Sequence, residues 1–171
     1  MDLKNNKASL IAKGGLLTAL GVLSLYLSSY LPTNRLFMES IATCIIIISI
    51  LVSGLKNGML VYASTAVLAL LICGVRLTTI AYILFFGTYG FIKYYIEKLD
   101  KILLEYLVKI LFFNLCLLIL FLIYKLFLPT LLDMNKSIYL IIAAAQIFFL
   151  VYDYVLTLFI SYFKRRYSKF I

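Results

Sequence analysis

The sequence contains no histidine, and none of its three cysteines sits in a CxxC spacing. Zinc sites, haem attachment and disulfide frameworks draw on those residues, so no metal or cofactor is expected. Cys44, Cys73 and Cys116 all lie inside apolar runs and read as small core residues. Acidic residues are scarce as well, seven Asp and Glu in 171 positions. An intramembrane protease needs a Ser/His pair, a metal pair or two membrane aspartates, and Asp153 without any histidine supplies none of these. The aspartate cluster of a phosphatidyl transferase is also missing, so no enzymatic role is expected. There is no Walker A motif, so any ATP-driven step falls to another protein. No small-residue cleavage site follows the long first apolar segment, and no cleavable signal peptide is expected. The two prolines, Pro32 and Pro129, punctuate the chain.

What is abundant is apolar surface. Hydrophobic residues make up 65% of the chain, charged residues 13%, and the mean hydropathy is +1.09. A water-soluble domain of this size has no way to hide so much apolar area, whereas lipid removes the difficulty. Runs such as Cys44 to Val52 and Ile110 to Ile123 are unbroken, unlike the alternating pattern of a membrane β-strand. The reading is an all-α polytopic membrane protein: one bundle over residues 1–171, with six transmembrane helices at about 10–31, 36–53, 58–74, 77–96, 103–128 and 137–163. Pro32 and Pro129 end the first and fifth helices, and residues 54–58 and 74–76 form short linkers.

The net charge of +9 reads as the positive-inside bias, and no nucleic-acid-binding motif competes with it. With both termini in the cytoplasm, one side carries Lys4, Lys7, Lys13, Lys56, Lys93, Lys98, Lys101, Lys109, Lys164, Arg165, Arg166 and Lys169, which is twelve. The other carries Arg35, Arg76, Lys125 and Lys136, which is four, and twelve plus four accounts for all 16 basic residues. That asymmetry favours an even number of crossings of a bacterial cytoplasmic membrane, with the lipid bilayer as the first partner.

Polar residues within apolar helices need a reason, because a charge at mid-bilayer costs a few kcal/mol on insertion scales. Gln146, Asp153, Thr157 and Ser161 fall within a sector of about 80° on a helix and are expected to face the interior. Lys109 lies at a similar depth, so a structural Lys109–Asp153 ion pair is expected; a proton relay normally strings several carboxylates and histidines together. On the outer side, Asn34, Arg35, Glu39, Arg76, Lys125, Tyr139 and Gln146 accumulate. Glu39 there reads either as an interfacial ion-pair partner of Arg35 or Arg76, or as part of a small outward pocket walled by Tyr26, Tyr30, Phe148 and Tyr152. On the first helix, Ala8, Ala12, Gly15 and Ala19 share a sector of about 60°, a small-residue face suited to close helix approach, within the bundle or to a second membrane protein. Gly14 and Gly21 lie off that face and read as ordinary transmembrane glycines.

A short six-span protein with both ends inside and this small-residue face resembles the substrate-binding S components of energy-coupling factor (ECF) transporters. In that family an Ala-xxx-Ala motif on helix one meets the coupling subunit, and Gly15 and Ala19 stand at the matching spacing. Gly54-Leu55-Lys56-Asn57-Gly58-Met59-Leu60-Val61 looks like the glycine-flanked basic turn between helices two and three, and Gly87-Thr88-Tyr89-Gly90 with Lys93 like the end of the fourth helix. The YybS-like group of bacterial membrane proteins shares the layout. The resemblance implies capture of a vitamin or similar micronutrient from outside, with Asn34, Arg35, Arg76, Tyr139 and Gln146 as substrate-binding residues. It implies docking of a transmembrane coupling subunit, with its ATPases, on Ala12, Gly15 and Ala19. Arg76 suits a substrate carboxylate or phosphate through its bidentate donors. The alternative is a non-transporting scaffold such as the MreD-like group; those proteins carry a Gly-Leu-xx-Asp stretch near helix three, where this chain has Tyr62-Ala63-Ser64-Thr65-Ala66 and no acid.

Overall fold

A computed structural model describes the backbone of residues 2–31, 33–96, 102–127 and 138–167. Pro32, Lys98, Lys101, Pro129, Lys136 and Lys169 lie outside the described residues, as do the side chains of Lys4, Lys7 and Tyr139. Among the described residues every regular element is helical: α1 (Asp2–Tyr30), α2 (Arg35–Cys73), α3 (Leu77–Ala81), a π-helical turn (Tyr82–Phe86), α4 (Gly87–Ile96), α5 (Ile102–Phe127) and α6 (Ile138–Tyr167). Among the described residues four helices are long and apolar enough to cross a membrane: Ala8–Tyr30 of α1, Arg35–Cys73, Leu103–Ile123 of α5 and Ile142–Arg166 of α6. The chain divides into two compact units, Met1–Cys116 and Leu117–Ile171.

Helix α2 is interrupted at one residue. Gly54 has φ 83° and ψ 170°, outside any helical region. In a straight helix, residues eight apart are separated by about 12 Å along the axis. Here a Cβ on Gly58 would come within 2.6 Å of Ile50 Cγ1 and 3.6 Å of Ile50 Cα. The chain therefore reverses at Gly54, and residues 35–53 and 55–73 form two arms lying against each other. Helical geometry resumes at position 55, not at the end of a five-residue linker as the composition suggests. Lys56 and Asn57 belong to the first turn of the second arm, and Asn57 Nδ2 donates to Leu10 O on α1 at 3.4 Å.

α1 packs against α2 through Gly14, Thr18, Gly21, Leu25 and Ser28, all buried and spaced at helical intervals. A Cβ on Gly21 would stand 3.1 Å from the Thr65 side chain, and one on Gly14 3.3 Å from Asn57 Oδ1. The glycines read as incidental in the sequence are thus the ones that set the approach of α1 to the second arm. The face carrying Ala8, Ala12, Gly15 and Ala19 lies about 130° around the helix and is exposed, with nothing within 4 Å of a Cβ on Gly15.

Residues 77–96 are continuously helical, with the π turn at their centre. A π turn widens the backbone and weakens its internal ladder, and an unpaired carbonyl is expensive in hydrocarbon. Side chains from four segments supply donors. Tyr62 Oη donates to Ile83 O at 2.9 Å, and Thr43 Oγ1 to Phe86 O at 2.8 Å. Cys116 Sγ of α5 donates to Leu84 O at 3.4 Å, and Thr88 Oγ1 reaches Leu84 O at 2.6 Å. Phe85 packs among Phe86, Tyr89, Phe112 and Phe113. The turn is held jointly by both arms of α2, by α4 and by α5.

In the Leu117–Ile171 unit, α6 buries Phe149, Tyr152, Asp153, Leu156 and Ile160. The inward polar stripe expected from the sequence is only partly kept. Asp153 is buried, but Thr157 and Ser161 are exposed and turn their hydroxyls back onto Asp153 O at 2.9 Å and Thr157 O at 2.8 Å. A hydroxyl that satisfies itself on the preceding turn has no need of an interior partner.

Candidate functional site

One end of the Met1–Cys116 unit gathers polar side chains from α1, α2 and the segment entering α3. Glu39 sits one turn into α2 and is 2% exposed. Ser28 Oγ, itself buried, lies 3.3 Å from Glu39 Oε1 and 3.2 Å from Arg35 O, and donates to both positions in turn. Glu39 Oε2 is buried and has no hydrogen-bond partner among the described residues. The adjacent Ser29 shares a hydrogen bond with Thr78 across 3.3 Å, and its carbonyl accepts from Arg76 Nη1 at 3.2 Å. The Arg76 guanidinium stands over the Tyr30 ring, 5.4 Å from its centroid, a cation–π arrangement that holds it at the surface. Arg35 and Arg76 are both exposed. The result is a buried carboxyl near two exposed guanidinium groups, tied together through the consecutive serines 28 and 29.

Of the residues singled out in the sequence, Asn34, Arg35, Glu39 and Arg76 are brought to this end. Asn34 precedes α2, where its carbonyl accepts from Met38 N at 3.1 Å and its side chain makes no capping bond. Gln146 is half-buried on α6, in the other unit, and Tyr139 lies on the same helix. Ser28, Ser29 and Thr78 escaped the sequence reading; a serine pair closing an apolar helix beside a charged loop was the available signal. An ion pair between Glu39 and either arginine does not form among the described residues, since Ser28 is the side chain that reaches the carboxyl.

Lys109 is buried on α5 and its ammonium pairs with Glu105 one turn earlier, Nζ to Oε1 at 2.6 Å. That partner on the same helix was overlooked in the sequence. Asp153 is buried at 8% exposure on α6. Lys93, counted among the cytoplasmic cations, is fully buried within α4. Among the described residues the hydroxyls of Ser49 and Ser53 are buried without partners. Among the described residues no group of three or more metal-ligating side chains occurs.

Compared with known protein families, curated proteins and solved structures, the chain matches none.

Proposed function

We propose that this protein is a membrane-embedded substrate-capture subunit of an ECF-type uptake transporter, taking a vitamin or similar micronutrient from the outer face of a bacterial cytoplasmic membrane. The observation that carries the reading is the polar end of the Met1–Cys116 unit, where a buried carboxyl lies near two exposed guanidinium groups. Pockets for small molecules are mostly apolar with a few converging polar groups, and polar groups buried in a membrane protein mark solute pathways. Supporting it is the reversal at Gly54, which with the continuous run 77–96 suits six crossings, both termini lying inside. The loops at 31–35 and 74–76 then face outward. The exposed Ala12, Gly15 and Ala19 face is free to receive a transmembrane coupling subunit, through which a separate ATPase pair drives uptake. A non-transporting scaffold would use the same exposed face, and solute binding separates the two readings.

The test compares two substitutions on opposite faces of α1. Ala19→Leu, on the exposed face, is expected to leave thermal stability within about 0.5 kcal/mol of wild type. It is expected to abolish co-purification with a co-expressed coupling subunit. Gly21→Leu, on the packed face, is expected to destabilise the protein by about 1–3 kcal/mol, because Thr65 occupies the space. Unchanged co-purification of Ala19→Leu, together with no ligand from a vitamin panel in a thermal-shift screen, would remove the transport reading.

A further inference from the structure

We infer that the site at Glu39 takes a zwitterionic solute, its ammonium end directed to Glu39 and its carboxylate held by Arg35 and Arg76. The inference rests on the capture reading above and names the class of solute.

A carboxyl buried inside an apolar helix bundle needs donors, and an ionised one left unpaired is costly. The chain supplies Glu39 with one, Ser28 Oγ, and that hydroxyl carries a single hydrogen. It stands 3.2 Å from Arg35 O and 3.3 Å from Glu39 Oε1, so it serves only one of them at a time. Oε2 has no partner at all among the described residues. An ammonium or N–H group is the complement of such an oxygen, and a charge-assisted hydrogen bond is about twice as strong as a neutral one.

Neither guanidinium hydrogen-bonds the carboxyl among the described residues, although the Arg35 charge acts on it. Arg76 commits one N–H to Ser29 O and lays its face on Tyr30, which leaves most of its five donors directed elsewhere. Arg35 makes no side-chain hydrogen bond among the described residues, and its carbonyl, not its guanidinium, is what Ser28 touches. Two exposed guanidinium groups favour a carboxylate through fork-shaped donors. They also repel a plain cation from the approach to Glu39. A ligand with charge of both signs satisfies both ends, whereas a simple amine is opposed at the rim and a simple carboxylate is opposed at Glu39.

The experiment uses the full chain in lipid nanodiscs and a panel of small zwitterionic amino acids and amino-carboxylated heterocycles. Each is measured beside its N-acetyl derivative, its methyl ester and neutral compounds of the same size, by thermal shift and then by titration. The expected result is binding of one or more zwitterions, with both derivatives at least about tenfold weaker, the loss of one charge-assisted contact. Glu39→Gln is expected to keep the unliganded melting temperature and to lose tenfold or more in affinity for the zwitterion, with no change for its N-acetyl derivative. Arg76→Gln is expected to show the converse with the methyl ester. Should Glu39→Gln fail to fold, the two ligand derivatives decide the matter without any substitution. A bound solute whose affinity is indifferent to N-acetylation would overturn the zwitterion assignment and leave solute capture standing. Absence of binding by every charge class would overturn both.

Discussion

Replacing Gly87 by Ala is expected to cost the protein about 2–4 kcal/mol, although glycine-to-alanine changes inside helices ordinarily stabilise by about 0.5–1 kcal/mol. The sign reverses because a Cβ at position 87 would run into the Tyr62 ring and come within 3.0 Å of Tyr82 O. Tyr62 has no harmless retreat. Its hydroxyl donates to Ile83 O at 2.9 Å, one of the side-chain bonds that hold the π turn, and its ring packs against Tyr82 and Phe91. Moving the ring sacrifices about 1 kcal/mol of hydrogen bonding in addition to about 1–3 kcal/mol of overpacking. Tyr62→Phe in the Gly87→Ala background should add little further loss, since the same bond is already broken. Reversible unfolding in mixed detergent micelles measures all three proteins. A stabilised Gly87→Ala protein would mean that Tyr62 does not pack on this turn.

The second large effect is expected at Gly54. Its φ of 83° with ψ of 170° lies in a region that glycine occupies almost alone, and placing a side chain there costs about 1–3 kcal/mol. Gly54→Ala should therefore destabilise, and Gly54→Val should do so more strongly because branching at Cβ narrows the allowed backbone further. Were residues 35–73 a straight helix, the same Gly54→Ala change would be stabilising by about 0.5–1 kcal/mol. The direction of one unfolding measurement in the same micelles separates these cases.

Both glycines show how far the residues alone carry the account. The helical, lipid-embedded character is written in composition, because unbroken apolar runs such as Ile110 to Ile123 leave water no role as their solvent. Gly54 was visible as punctuation, but the letters Gly-Leu-Lys-Asn-Gly suggest a loop where a single residue makes the turn. Which face of α1 packs inward was not legible. Ala8, Ala12, Gly15 and Ala19 form the more regular stripe of small residues, yet the buried face is Gly14, Thr18 and Gly21, chosen by the shapes of Asn57 and Thr65 across from it. Such a choice depends on residues more than 40 positions away. The π turn was equally hidden, since Tyr82-Ile83-Leu84-Phe85-Phe86 reads as ordinary helix and the donors Thr43, Tyr62, Thr88 and Cys116 mark its loosened carbonyls.

At the candidate site, charge was legible and connectivity was not. Arg35, Glu39 and Arg76 stand out against an apolar background, and opposite charges at that spacing suggest an ion pair. Two serines instead mediate between them, and hydroxyls in an apolar helix carry no label that tells a self-satisfied group such as Ser161 from one such as Ser28 that serves a carboxyl. Glu105 and Lys109 stand four residues apart, a spacing at which side chains on one helix meet.

The reversal at Gly54 is the hinge of the whole account, since it fixes which loops share a side of the membrane. Single cysteines introduced at Asn34, Lys56 and Val75, in a protein whose Cys44, Cys73 and Cys116 are replaced by alanine, test it in intact cells with a membrane-impermeant maleimide. The account predicts labelling at positions 34 and 75 from outside, and at position 56 only after the cells are opened. Labelling of 34 and 75 from opposite sides would mean that residues 35–73 cross once as a straight helix of about 58 Å, and would contradict it.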